Sequence, residues 1–73
     1  MRASLDIVNR WMAGDLPEGV KFALNDAVLF ESDGRIFGAA VISLLDISPE
    51  PTFLVETSDG RDLELRQSAL RPG

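Results

Sequence analysis

The sequence predicts a small, mainly β domain of about five strands with a short helix near its N-terminal end. Three observations predict this fold. Two apolar runs between Asn25 and Ile47 are separated by Asp33-Gly34, and Asp-Gly between such runs is a strong hairpin signal. The segment 52–66 repeats this arrangement around a second Asp-Gly pair. Only the segment from Ser4 to Gly14 spaces its apolar residues as a helix does.

Length and composition restrict the kinds of function that the chain can have. The 73 residues are enough for one domain with a small core. The chain has no Cys and no His, which removes disulfides, thiolate zinc sites and the commonest general base. The sequence therefore predicts no enzyme, no cofactor and no metal site. The net charge of -5 argues against nucleic acid as a partner, because phosphate binding needs clustered Lys and Arg.

The predicted helix covers residues 4–14. Ser4 can cap its first turn, Gly14 can end it, and Pro17 prevents a restart. Its apolar stripe, extended by Trp11, consists of Leu5, Val8 and Met12. The alternative is a short strand, because the β-branched Ile7 and Val8 are adjacent and about ten residues make a marginal helix.

Trp11, Met12 and Leu16 are the candidate residues for binding a protein partner. Large apolar side chains dominate small cores, so the favoured interpretation is that Trp11 and Met12 pack the helix onto the sheet. The alternative is an exposed contact patch, including a homodimer formed through the helix. The sequence leaves open whether Trp11 is buried.

The remaining elements follow from local patterns. Val20, Phe22 and Leu24 alternate with more polar or small residues, which predicts a short strand or an extended arm lying on the sheet. Asn25 predicts a tight turn before the first long strand. Gly38, inside the second strand, predicts a bulge, a bend or the close approach of another backbone.

The tetrapeptide Ser-Asp-Gly-Arg occurs twice, at residues 32–35 and 58–61. Asp33 and Asp59 invite the hypothesis of a carboxylate pair that acts on a sugar or holds a metal. Such chemistry needs the two carboxylates to converge in a partly dry cleft, whereas turn tips are usually wet and far apart. Asp in a turn normally bonds its own backbone, so both copies predict hairpin turns rather than a site.

The succession of elements over residues 20–71 resembles an SH3-like barrel, with the layout of KOW and Tudor-type domains. The resemblance rests on Asn25-Asp26-Ala27-Val28-Leu29-Phe30 with Gly34 and Gly38, and on the closing segment Leu63–Leu70. It implies a small barrel of about five strands, and it offers a KOW-like nucleic-acid or ribosome-associated domain as an alternative function. Under that alternative, the basic surface is formed by Arg35, Arg61 and Arg66. The chain departs from both groups, because it is acidic, has no Tyr and carries its single Trp outside the barrel segment.

The function that we predict from the sequence is a non-catalytic protein-interaction module with an unidentified protein partner. The longest stretch without a formal charge, Ile36 to Leu45, is far shorter than the ~20 residues that cross a bilayer. We therefore expect no membrane span and, by default, a cytoplasmic location.

Overall fold

A computed structural model describes all residues, 1–73. Its elements are helix α1 (Leu5–Met12) and strands β1 (Ala27–Ser32), β2 (Arg35–Asp46), β3 (Thr52–Thr57), β4 (Asp62–Arg66) and β5 (Arg71–Pro72), with a 3₁₀ turn (Gln67–Ala69) before β5. The prediction of a mainly β fold with a short N-terminal helix is confirmed.

The five strands form one antiparallel sheet in the order β4-β3-β2-β1-β5. Strands β4 and β5 are the two outer strands, and no ladder joins them, so the sheet is open. Both tight hairpins, β1–β2 and β3–β4, connect neighbours in the sheet, as their Asp-Gly turns predict.

Strand β2 is the longest strand and changes partner along its length. It pairs with β1 from Arg35 to Ala40 and with β3 from Ala39 to Asp46. The register with β3 shifts twice, between Val41 and Ser43 and between Leu44 and Asp46. The bulges therefore lie beyond Gly38, which pairs regularly with Leu29.

The backbone at Gly38 does not approach another chain segment closely. A Cβ built on this residue would have no neighbour within 4 Å. The prediction of a bulge or close approach at Gly38 is therefore wrong, although the change of partner begins at the next residue.

Helix α1 settles the choice between helix and strand for residues 5–12. The Ser4 side chain accepts a hydrogen bond from the Ile7 amide at 3.2 Å, which satisfies one of the free donors of the first turn. After the C-cap residue Ala13, Gly14 has φ +94° and donates to the Trp11 carbonyl at 3.0 Å. This left-handed conformation favours glycine, so Gly14 ends the helix in the manner predicted.

The segment between the helix and β1 is an extended arm rather than a strand. Val20 and Phe22 are buried in it and Lys21 is exposed, so the predicted alternation is present without a ladder. The arm ends in a turn with Asn25 at φ +71°, where the Asp26 carboxylate accepts a hydrogen bond from Ala23 at 2.8 Å. A polar side chain therefore replaces a ladder partner at this point.

The core lies between the sheet, the helix and the arm. Its largest fully buried side chains are Trp11, Phe53, Leu44, Val28, Val41 and Val55. Phe53 is central, because its ring lies 6.3 Å from the Trp11 ring and 5.9 Å from the Phe22 ring, centroid to centroid. The second contact is edge-to-face, an arrangement that aromatic pairs prefer.

The first three residues add a contact that the sequence does not predict. Arg2 forms an isolated antiparallel bridge with Asp46, and the Ala3 amide donates to the Leu45 carbonyl at 2.9 Å. This segment lies beside the end of β2 that extends beyond its pairing with β1. It therefore satisfies backbone groups that β1 does not reach.

Candidate functional site

Trp11 is a core residue in this fold. Its side chain is fully buried, with 0% exposure, and its indole N–H donates to the Phe22 carbonyl at 2.7 Å. This bond ties the helix to the arm and satisfies the polar atom of a buried indole. Trp11 therefore packs the helix onto the core, as the favoured interpretation predicts, and it is not part of the exposed apolar surface.

Met12 and Leu16 remain on the surface. Met12 is 53% exposed and Leu16 is 36% exposed, so the packing interpretation of Met12 is wrong. Of the predicted stripe, Trp11 is buried and Val8 is half-buried, and the helix packs on the core through Trp11 and Ile7. Leu5, which the stripe placed inward, is 76% exposed. The helix therefore has two exposed apolar side chains, Leu5 and Met12, which lie two helical turns apart.

Exposed large apolar residues are concentrated in the N-terminal part of the chain. Four of the five lie in the first 16 residues; the five are Met1, Leu5, Met12, Leu16 and Ile36. Single exposed apolar side chains are ordinary, but a concentration of them in one segment marks a candidate interaction surface. We call Leu5, Met12 and Leu16 the helix surface.

A recess of about 500 Å³ lies beside the 3₁₀ turn. Its lining residues are Lys21, Phe22, Glu50, Gln67, Ser68, Leu70 and Pro72. The Gln67 side chain joins the 3₁₀ turn to the arm on one wall of the recess. Its amide nitrogen donates to the Gly19 carbonyl at 2.9 Å, and its amide oxygen accepts from the Lys21 backbone amide at 2.8 Å. Among the other lining residues, the Glu50 carboxylate accepts from the Ser68 hydroxyl at 2.7 Å.

The recess was not predicted from the sequence. Nothing in the letters of the segment Gln67–Leu70 indicates that the Gln67 side chain reaches the arm. The side chains of Gln67 and Glu50 form hydrogen bonds with other groups of the protein, so their role in the recess is structural. The Lys21 ammonium group forms no salt bridge.

The two Ser-Asp-Gly-Arg turns have different backbones. In the first, Ser32 pairs with Arg35, and both central residues have positive φ: +53° at Asp33 and +75° at Gly34. This is a two-residue turn with type I′ backbone signs. The second turn begins one residue earlier, at Thr57. Of its residues only Gly60 has a positive φ, +85°.

Thr57 accounts for the earlier start of the second turn. Its backbone amide donates to the Arg61 carbonyl at 2.8 Å, and its carbonyl accepts from the Gly60 amide at 3.0 Å. Its buried hydroxyl also accepts from the Arg61 amide at 3.2 Å and donates to the Asp59 carboxylate. The first turn has Glu31 at the equivalent position, which offers no hydroxyl.

The side chain of Asp59 belongs to this turn network. The hydrogen bond from the Thr57 hydroxyl is the main cause that holds the pKa of Asp59 below its ordinary value, and the Arg61 guanidinium, 3.0 Å away, contributes. Both partners stabilise the carboxylate form. No group of three or more His, Cys, Asp or Glu residues is arranged to hold a metal ion.

The three residues of the predicted basic surface do not come together. Arg35 and Arg61 lie toward the same end of the sheet, but β3 pairs with β2 only from Ala39 onward, so Arg35 lies four residues of strand beyond the end of that ladder. Arg66 pairs with Thr52 at the opposite end, about 16 Å of strand from Arg61. Arg61 is also paired with Asp59, so its charge is partly neutralised.

Comparisons with known proteins leave these surfaces as the main evidence on function. A scan against models of protein families, a search of curated proteins and a search of solved structures found no significant match. The protein has no helix that is long and apolar enough to cross a membrane.

Proposed function

We propose that this chain is a non-catalytic protein-interaction module built on an SH3-like barrel, and that the helix surface is where it contacts its partner. The observation that carries the proposal is the concentration of exposed apolar side chains in the first 16 residues. The fold class is supported by the strand order, by the change of partner along β2 and by the 3₁₀ turn before β5.

The helix surface has the properties of a contact element. Ser4 and Gly14 fix the ends of the helix, and Trp11 fixes its rotation by filling the core. The backbone positions of Leu5 and Met12 are therefore fixed before binding, which reduces the entropy lost on binding. Residues at i and i+7 on one helix face are typical anchors for an apolar groove.

The helix surface by itself is smaller than a complete interface. A stable interface buries about 800 Å² from each partner, whereas the whole chain exposes 4734 Å². A helix of eight residues supplies only part of that area. The partner must also contact neighbouring surface, and Met1 is the apolar candidate there.

Two variants test this proposal. The double variant Leu5→Ser, Met12→Ser removes both anchors, and because both residues are exposed we expect each change to alter the free energy of unfolding by at most about 0.5 kcal/mol. A photo-crosslinking amino acid at position 12 should give a discrete protein adduct in cells. The matched control carries it at Glu31, an exposed position on β1.

The outcomes separate a homodimer from a second protein. Sedimentation velocity of the purified chain should show a dimer that the double variant abolishes if the partner is a second copy. If the partner is another protein, the chain should sediment as a monomer, and the adduct at position 12 should contain that protein. A monomer with no adduct at position 12 beyond that at position 31 would refute the proposed function.

A further inference from the structure

Strand β4 has an edge without a hydrogen-bonding neighbour, and the ladder with β3 shows which backbone groups are free there. The Thr57 amide donates to Arg61 at 2.8 Å at one end of the ladder, and the Gln67 amide donates to Pro51 at 2.8 Å at the other. In an antiparallel ladder, alternate residues point their N–H and C=O toward one neighbour. Residues 61, 63, 65 and 67 therefore face β3.

The residues between them face solvent. Asp62, Glu64 and Arg66 point their backbone N–H and C=O groups away from the sheet, and all three residues are exposed. This is a row of three donors and three acceptors spaced two residues apart. Such a row is a template for an added strand.

The opposite edge of the sheet is protected. Strand β5 has only two residues. In its register with β1, the backbone groups of Arg71 and Gly73 face β1, so the backbone of Pro72 between them faces away from the sheet. Proline has no N–H, so the outer edge of β5 lacks a donor at that position. Strand β4 has five residues and contains neither proline nor a bulge.

The side chains of the free edge select the partner by charge. Asp62 and Glu64 are negative and Arg66 is positive, and Glu56 lies directly opposite Asp62 on β3. Two carboxylates thus lie side by side across the ladder, at the end of the edge away from Arg66. Opposite charges on neighbouring strands stabilise pairing, and like charges destabilise it.

A second copy of this chain fits that pattern less well. The longest antiparallel pairing of two β4 edges places Asp62 opposite Arg66 on both sides but Glu64 opposite Glu64, whereas an unrelated segment can carry an opposite charge at all three positions. Each copy also carries a net charge of -5, so the two repel each other. Charged edges of this kind commonly prevent self-association.

We propose that the β4 edge binds an extended segment of another protein, which adds as an antiparallel sixth strand and places Lys or Arg opposite Asp62 and Glu64. An acidic residue of that segment lies opposite Arg66. Its alternate side chains are apolar and continue the face on which Leu63 and Leu65 are half-buried. This contact is independent of the helix surface.

A synthetic peptide tests the proposal. The acetylated and amidated peptide Thr-Glu-Val-Lys-Val-Lys-Thr matches the charges of the edge in antiparallel register, and Thr-Lys-Val-Glu-Val-Glu-Thr is its charge-reversed control. In NMR titrations up to about 1 mM peptide, we expect the amides of Asp62, Glu64 and Arg66 to shift and to exchange more slowly. The control peptide should bind about tenfold more weakly.

Variants at Glu64 separate the backbone contribution from the charge. Glu64→Pro removes one outward donor and no bond to β3, and we expect it to weaken peptide binding at least about tenfold. Glu64→Lys keeps the donor, so it should weaken binding of the first peptide and strengthen binding of the control peptide. The Glu64→Lys variant remains informative if the Glu64→Pro variant does not fold.

The helix-surface variant makes this test independent of the proposed function. The double variant Leu5→Ser, Met12→Ser should bind the peptide as the parent chain does. Equal binding of both peptides, shifts confined to other strands, or dimers of the parent chain joined through β4 would each overturn the proposal.

Discussion

Replacement of Trp11 by phenylalanine is the most informative single change, because it separates a structural role of this residue from a role in binding. Phenylalanine keeps a ring against Phe53, but it removes the indole N–H and leaves space where the larger ring was. The Phe22 carbonyl accepts no other hydrogen bond, so the change leaves it buried without a donor.

The expected loss of stability is large for a domain of this size. A buried carbonyl without a donor costs about 1–3 kcal/mol, and the residual cavity adds about 1 kcal/mol. We therefore expect Trp11→Phe to lower the free energy of unfolding by about 2–4 kcal/mol. Typical stabilities of ~0.05–0.15 kcal/mol per residue give about 4–11 kcal/mol in total for 73 residues.

Urea unfolding, followed by far-ultraviolet circular dichroism, measures the loss without relying on tryptophan fluorescence. With a denaturant slope of about 1 kcal/mol/M, the midpoint should fall by about 2–4 M. The matched control is Met12→Ala on the adjacent, exposed position, for which we expect a change within about 0.5 kcal/mol. A loss below 1 kcal/mol for Trp11→Phe, or an equal loss in both variants, would refute the structural assignment.

Three further predictions concern local structure. Gly14→Ala should lower the free energy of unfolding by about 1 kcal/mol in thermal melts, because φ is +94° there; an unchanged melting temperature would contradict this. Gln67→Ala should cost about 1–2 kcal/mol and speed hydrogen exchange of the Lys21 amide, because two bonds to the arm are lost; unaltered exchange would count against it. Thr57→Val should raise the pKa of Asp59, whereas Thr57→Ser should not, in an NMR titration of the carboxyl carbon; equal pKa values in both variants would exclude the hydroxyl as the cause.

The low pKa of Asp59 also fixes the sign of a pH effect. The folded-state pKa lies below that of the unfolded chain, so the ionised carboxylate stabilises the fold above the unfolded pKa. This contribution is lost as the pH falls through the folded-state value. Acid unfolding of Thr57→Val should therefore depend less steeply on pH over that window.

Local signals predicted the secondary structure well. Ser4 and Gly14 act through their own backbone neighbourhood, so the ends of the helix could be predicted from the sequence. The Asp-Gly pairs marked both hairpins for the same reason. The twin tetrapeptides show the limit of this reasoning, because Thr57, one residue outside the repeat, moves the second turn by one position.

Surface features were predicted less well. The predicted stripe of Leu5, Val8 and Met12, extended by Trp11, is only partly covered. Trp11 and the adjacent Ile7 pack on the core, whereas Leu5 and Met12 are exposed. Periodicity shows that a helix has an apolar side. When apolar residues occupy much of the helix circumference, however, periodicity does not show which of them the sheet covers. Of the apolar residues in this part of the chain, Leu5, Met12 and Leu16 are therefore exposed and Trp11 is not.

The sequence by itself determined one short helix, two hairpins and an alternating core pattern, because these depend on interactions between residues close in the chain. Only the tertiary structure decided that Trp11 is buried, that Gln67 reaches the arm 46 residues away, that Arg66 is separated from Arg35 and Arg61, and that β4 is an outer strand. Each of these depends on how distant segments pack, and no local pattern encodes which strand lacks a neighbour.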